Sequence, residues 1–145
     1  MFTIDLKTAN KIIEAGIQLR REAGHLPLTF CVLDRGGHLV AAQREDDSSI
    51  MRFEIAFGKA WASLALGHST HFQETKMAPN RPHFIDSLAA VSNGRFVPAL
   101  GGVLIRELES NTLLGALGVT GDWGENDEQI AIKAIEKCGF KADLT

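Results

Sequence analysis

The order of patterned segments in this chain predicts an α+β fold, an antiparallel sheet with helices packed on it. Three observations carry that reading. Two apolar runs flank Arg35-Gly36-Gly37 in the manner of a hairpin, a second pair of apolar runs lies near residues 102–107 and 112–120, and stretches of helical period come before, between and after them. The length of 145 residues suits one domain with its own core, so residues 1–145 are expected to form a single unit.

From about Asp5 to Glu22, Leu6, Ala9, Ile13, Ile17 and Arg20 recur at three-to-four spacing, with Lys and Glu opposite them. This is an amphipathic helix, closed by Gly24. LPLTFCVLD and HLVAAQRE follow as two antiparallel strands, about 28 to 34 and 38 to 44, because the glycine pair supplies the positive φ of a tight turn. Ser49 to His68 is apolar nearly all round (Ile50, Phe53, Ile55, Phe57, Trp61, Leu64, Leu66), which predicts a central helix covered on most sides. A looser stretch holding Pro79 and Pro82 leads to a short helix, Phe84 to Val91, that stops at Asn93-Gly94. The tail gives two strands turned by Glu109-Ser110-Asn111 and a last helix from about Glu125 to Cys138, with Asp122 and Glu125 spaced as a capping box.

Composition removes several function classes. A net charge of −3, with Lys and Arg scattered among acids, argues against a nucleic-acid surface. No window approaches a membrane span and MFTIDLKTANK lacks the pattern of a signal peptide, so the chain is expected in the cytoplasm, away from membranes. Cys31 and Cys138 have no metal or redox spacing and read as buried thiols. No GxSxG, HExxH, Walker or EF-hand sequence occurs. The glycines at 115, 118, 121 and 124 carry a strand into a helix without forming GxGxxG, and are read as letting a helix lie close to the sheet.

LDRGGHLVAAQRED, FGKAWASLALG, GGVLIRE and LLGALGVTGDWGENDEQIA, in that order and spacing, resemble the GlcG/HbpS-like family, which also forms the C-terminal domain of PduO-type proteins and is often labelled haem-degrading. The resemblance covers nearly the whole chain. It implies a profilin-like sandwich with a sheet of about five strands, homo-oligomers from dimers up to octamers, and roles in haem binding or in small-molecule catabolic operons. It places the family's aspartate and glycine pair on Asp34, Gly36 and Gly37, its helical lysine on Lys59, its second glycine pair on Gly101 and Gly102, its glycine-rich strand on Gly115, Gly118 and Gly121, and its late aspartate on Asp127. The chain departs from the family at Val103-Leu104-Ile105, where many members have a proline, and at Asp122-Trp123-Gly124, which replaces a small or glycine-rich lead into the last helix.

Arg52, Ala56, Lys59 and Ser63 share one stripe of the central helix. Two cations there suit a carboxylate or propionate, since both donate charge-assisted bonds; alternatively Lys59 forms a salt bridge with Asp34, Asp127 or a neighbouring subunit. Gly121, Asp122, Trp123 and Gly124 are expected to shape the wall of the ligand site, with Trp123 stacking on a planar ligand or packing at an oligomer contact. Asp122, Glu125, Asp127 and Glu128 either work as acids, bases or cation ligands or simply offset the helix dipole. Haem iron takes His, Cys, Met or Tyr, and Tyr is absent. His68 and His71 are the candidate iron ligands, against a purely structural role at a helix end and in a polar loop.

The leading expectation is a cytoplasmic homo-oligomer that binds a small ligand, with haem or a related tetrapyrrole first. The alternative is an enzyme acting on a small organic acid, with Lys59 or Arg52 holding the carboxylate and Asp127 or Asp122 as general base, or an accessory subunit without chemistry of its own.

Overall fold

The computed structural model describes all 145 residues. Helix α1, Leu6–Ala23, starts where Asp5 accepts a hydrogen bond from Thr8 N (2.8 Å) and ends at Gly24, whose φ of 72° only a glycine adopts without cost. Strands β1 (Thr29–Asp34) and β2 (Leu39–Arg44) form the expected hairpin. Asp34 fixes its turn by accepting from Gly36 N (2.9 Å) and His38 N (3.0 Å).

The long helix α2 spans Arg52–Leu66, followed by a single helical turn α3 (Thr70–Phe72), a π-helical turn (Gln73–Met77) and α4 (Pro82–Val91). Strands β3 (Gly102–Arg106) and β4 (Leu113–Thr120), helix α5 (Gly124–Lys137) and strand β5 (Lys141–Asp143) complete the chain. The five strands make one antiparallel sheet in the order β2-β1-β4-β3-β5. The α+β architecture expected from the sequence is therefore present. No helix is long and apolar enough to cross a membrane.

Alternation along the strands sends side chains to two faces. Phe30, Val32, Val103, Ile105, Leu117 and Val119 point to one, where they pack with Ile12 and Ile13 of α1 and Ile130 and Ile135 of α5. Cys31, Leu33, Leu104 and Ala116 point to the other, where α2 covers them. On that second face Gly102 and Gly118 are directly paired across β3 and β4. A Cβ on Gly118 would overlap the Ala56 carbonyl, and one on Gly102 the Lys59 carbonyl, so the backbone of α2 rests on a floor of glycine. Of the four glycines read as a seat for a helix, only Gly118 lies under α2; Gly115 faces the Leu33 carbonyl of β1, Gly121 the Pro27 carbonyl and Gly124 Leu100.

That seat corrects the expectation that α2 is covered on most sides. Its fully buried residues are small or polar (Ala56, Gly58, Lys59, Ala60, Ala62, Ser63), whereas Phe53, Phe57, Trp61 and Leu64 are half-buried on the flanks. At Gly102 and Gly118 helix and sheet approach too closely to accommodate large side chains between them. A second correction concerns residues 70–77, expected as loose chain and found helical. Gln73 holds this segment to α2 by donating to Ala62 O and His68 O (both 2.8 Å).

Candidate functional site

At the end of the sheet where β4 runs into α5, a cavity of about 370 Å³ opens between α2, the π-helical turn and the 120–127 segment. Arg52, Ile55 and Lys59 line it from α2, Glu74 from the π turn, Ala99 and Leu100 from the lead into β3, and Thr120, Asp122, Trp123, Gly124, Glu125 and Asp127 from the other side. The stripe of α2 that carries the two cations is the one that faces the sheet. Arg52 therefore reaches the end of β4 and donates to Thr120 Oγ1 (2.8 Å).

Lys59 is 4% exposed. Its ammonium donates to Val119 O (2.9 Å) and to Asp127 Oδ2 (3.4 Å). Gly101 makes room for it, since a Cβ there would lie 3.0 Å from Nζ. Burial lowers the proton affinity of Lys59, the Asp127 carboxylate works against that shift, and nearby Arg52 and Glu74 push in opposite directions. Asp127 is 1% exposed, and burial pushes its carboxyl up to about 6 despite the pull of Lys59. Its other oxygen accepts from Asp122 N (3.0 Å). Desolvation thus outweighs attraction at both ends of this pair, leaving a carboxyl able to gain or lose a proton near neutral pH.

The expected capping box is replaced by another arrangement. Trp123, not Asp122, is the N-cap of α5, and no side chain of the cap bonds the helix. Asp127 reaches back to Asp122 N instead, while Asp122 accepts from Leu26 N (2.8 Å), Trp123 N (2.6 Å) and Asn126 Nδ2 (3.0 Å). Those bonds, the one from Leu26 N foremost, hold the Asp122 carboxyl below its ordinary range.

Of the residues singled out from the sequence, Arg52, Lys59, Asp122, Trp123, Gly124 and Asp127 meet in this cavity. The indole of Trp123 stands 79% exposed at its rim. Gly121 lies under Pro27 and Leu28 and lines a smaller adjoining recess that Arg52 shares. His68 and His71 lie outside the lining. His68 stacks on Phe72, with ring centroids 4.3 Å apart. His71, in α3 and not in a loop, bonds through Nδ1 to Glu128 at 3.0 and 3.1 Å, with 43% of its side chain exposed. Glu74 of the lining follows His71 by one helical turn, and Glu128, to which His71 bonds, is next in sequence to Asp127, although neither His71 nor Glu128 lines the cavity. No three His, Cys, Asp or Glu side chains group as a metal-binding set.

Glu74, Thr120 and Leu100 escaped the sequence reading. Glu74 accepts from Leu100 N (2.9 Å) and owes its direction to the π turn, which has no apolar period by which to find it.

Fold and site together define an α+β sandwich with a buried cation–carboxylate pair lining a charged recess. Residues 4–136 match the family described as "Haem degrading protein HbpS-like", and the chain belongs to that family. A 15.0 kDa protein encoded between dhaT and dhaS of Citrobacter freundii is 28% identical over 134 residues, which cover 92% of this chain and 91% of that one. The crystal structure of Klebsiella pneumoniae protein ORFY superposes with a TM-score of 0.83 at 27% identity, covering 95% of this chain and 91% of that one. The structure of a PduOC:heme complex superposes with a TM-score of 0.82 at 22% identity, covering 98% of both chains, and shares the fold.

Proposed function

We propose that this chain is a cytoplasmic, homo-oligomeric protein that binds a carboxylate-bearing small molecule in the Arg52–Lys59 cavity, with haem or a related tetrapyrrole as the first ligand to test. The observation that carries the reading is Arg52, a cation with no ion-pair partner in the chain, set beside the buried Lys59 in a recess. Such a group suits an anion from outside. The family description and the haem complex of a protein with the same fold make haem the first choice.

The residues fit haem in a divided way. The cavity lining offers Arg52 and Lys59 to propionates and no side chain to iron. His71, outside the lining, is the side chain that would serve iron, because a histidine whose Nδ1 is held by a buried carboxylate keeps Nε2 available, as in metal-binding histidines. Iron chemistry is what a bound haem would add; Arg52 and Lys59 would hold its carboxylates and His71 would offer an imidazole nitrogen. A haemin titration followed in the Soret region tests this. A sharp, saturating band in the wild type, lost in His71→Ala and kept in His68→Ala, is the expected result. A weak, non-saturating change common to all three proteins would refute it.

A second reading, an enzyme acting on a small organic acid, is favoured by Asp127 alone: a buried carboxyl near 6 in contact with a lysine has the properties of a general base. In that reading Asp127→Asn abolishes turnover while substrate still binds. Full turnover in the variant would remove Asp127 from the mechanism.

A further inference from the structure

The hydrogen-bonding capacity of the cavity is unevenly committed. Asp122 spends both oxygens on Leu26 N, Trp123 N and Asn126 Nδ2, and Asp127 spends both on Asp122 N and Lys59. Lys59 uses two of its three N–H donors on Val119 O and Asp127. Three charged lining groups keep a free end; Glu125 is exposed and anchored by no hydrogen bond, which leaves Arg52 and Glu74 as the two held in place. Arg52 donates once, to Thr120, and has no carboxylate partner, while Glu74 accepts from Leu100 N through Oε2 and leaves Oε1 without a protein donor. Arg52 and Glu74 line the same cavity as Lys59, the one from α2 and the other from the π-helical turn.

A free cation and a free acceptor in a recess of about 370 Å³ specify a ligand with opposite features at short range. We infer that this cavity takes a short monocarboxylic acid bearing a hydrogen-bond donor, a hydroxyl or an ammonium, next to its carboxylate: the carboxylate is received by Arg52 and the spare N–H of Lys59, and the donor by Glu74. The inference rests on the reading that Arg52 and Lys59 receive a carboxylate, and it names what that carboxylate is attached to. A second carboxylate on the ligand would face Glu74 and Glu125 with no cation left to meet it. An acid without a donor makes no bond to Glu74 Oε1 and gains nothing from it.

Four acids of three carbons test the point by titration calorimetry on the full chain at neutral pH and low salt: propionate, lactate, alanine and malonate. Lactate or alanine is expected to bind roughly tenfold to a hundredfold more tightly than propionate, the range set by one hydrogen bond to a charged acceptor, with malonate no better than propionate. Glu74→Gln should erase that preference while tightening propionate slightly, since it removes a negative charge from an anion site, and Arg52→Ala should remove binding of all four; thermal unfolding checks that each variant is folded. Equal affinity for propionate and the donor-bearing acids, or a preference that survives Glu74→Gln, would overturn the inference. Haemin is titrated in parallel. Saturating haemin binding with no acid bound would overturn the inference and leave the ligand-binding reading standing, and failure of both would overturn both.

Discussion

Replacing Lys59 by Met should make the stability of this protein depend on pH in a new range. In the unfolded chain Asp127 loses its proton near 3.8; in the fold it does so at about 6, because burial disfavours the carboxylate. Between those values the folded state holds more protons than the unfolded one, so stability falls as pH rises, by about 3 kcal/mol in all, and levels off above 6. Lys59 is the group that keeps the value from going higher. Without its ammonium, the carboxyl of Asp127 stays protonated beyond pH 6 and the fall continues. Wild type and variant should therefore run parallel from pH 5 to 6, offset by about 1 kcal/mol for the bond to Val119 O, and diverge above it. The divergence is about 1.4 kcal/mol per pH unit, or roughly 2–3 kcal/mol by pH 8. Urea unfolding at pH 5, 6, 7 and 8 measures it. Curves that stay parallel across the whole range would refute a coupled buried pair.

Three further outcomes follow from the packing. Gly118→Ala places a methyl against the Ala56 carbonyl, a contact with backbone that no rotamer relieves, and should destabilise by about 3 kcal/mol, lowering the melting temperature by roughly 10 °C; a shift of about 2 °C or less would mean that α2 is not seated on that strand. Cys31 is fully buried and its thiol is pushed up to about 12, so a thiol reagent at pH 8 should modify the half-buried Cys138 in the native protein and reach Cys31 only on unfolding; two equally fast thiols would contradict the core assignment. Arg106→Ala removes the ion pair with Asp143 (2.6 Å) that ties β5 to the sheet, and should release amide protection over residues 141–145 before any other strand in hydrogen exchange.

Much of the fold is legible in the sequence because its signals are local. The hairpin, α1, α4 and the strand pair β3–β4 all begin and end within a few residues of their expected bounds, since each is bracketed by glycine, asparagine or a polar turn. What escapes is set by distant contacts. Strand β5 is three residues long and exists because Leu104, Ile105 and Arg106 are there to pair with it. The π turn carries no periodicity and is held by Gln73 reaching α2. For the site, Lys59 and Asp127 are recognisable as residue types at matching positions, but their contact joins residues 68 apart in sequence. The burial that shifts both is a property of the assembled layers. Residue size also misleads at α2, where a run of large apolar residues suggests deep burial and the glycines beneath admit only the small ones.

The glycine floor under α2 has a mechanical consequence. Backbone lies on backbone at Gly102 and Gly118, so α2 cannot be pressed closer, and its separation from the sheet would break the core. Arg52 and Lys59 ride on that helix and share its stiffness. The facing wall differs: its backbone is tied down through Gln73 and Asp122, but the side chains of Glu74 and Trp123 stand exposed. A recess built this way has fixed backbone on both sides and turnable side chains on one. The anion end of any occupant is then positioned invariantly, and adaptation to its size and shape falls to the rotamers of Glu74 and Trp123, which should respond first when the cavity is filled.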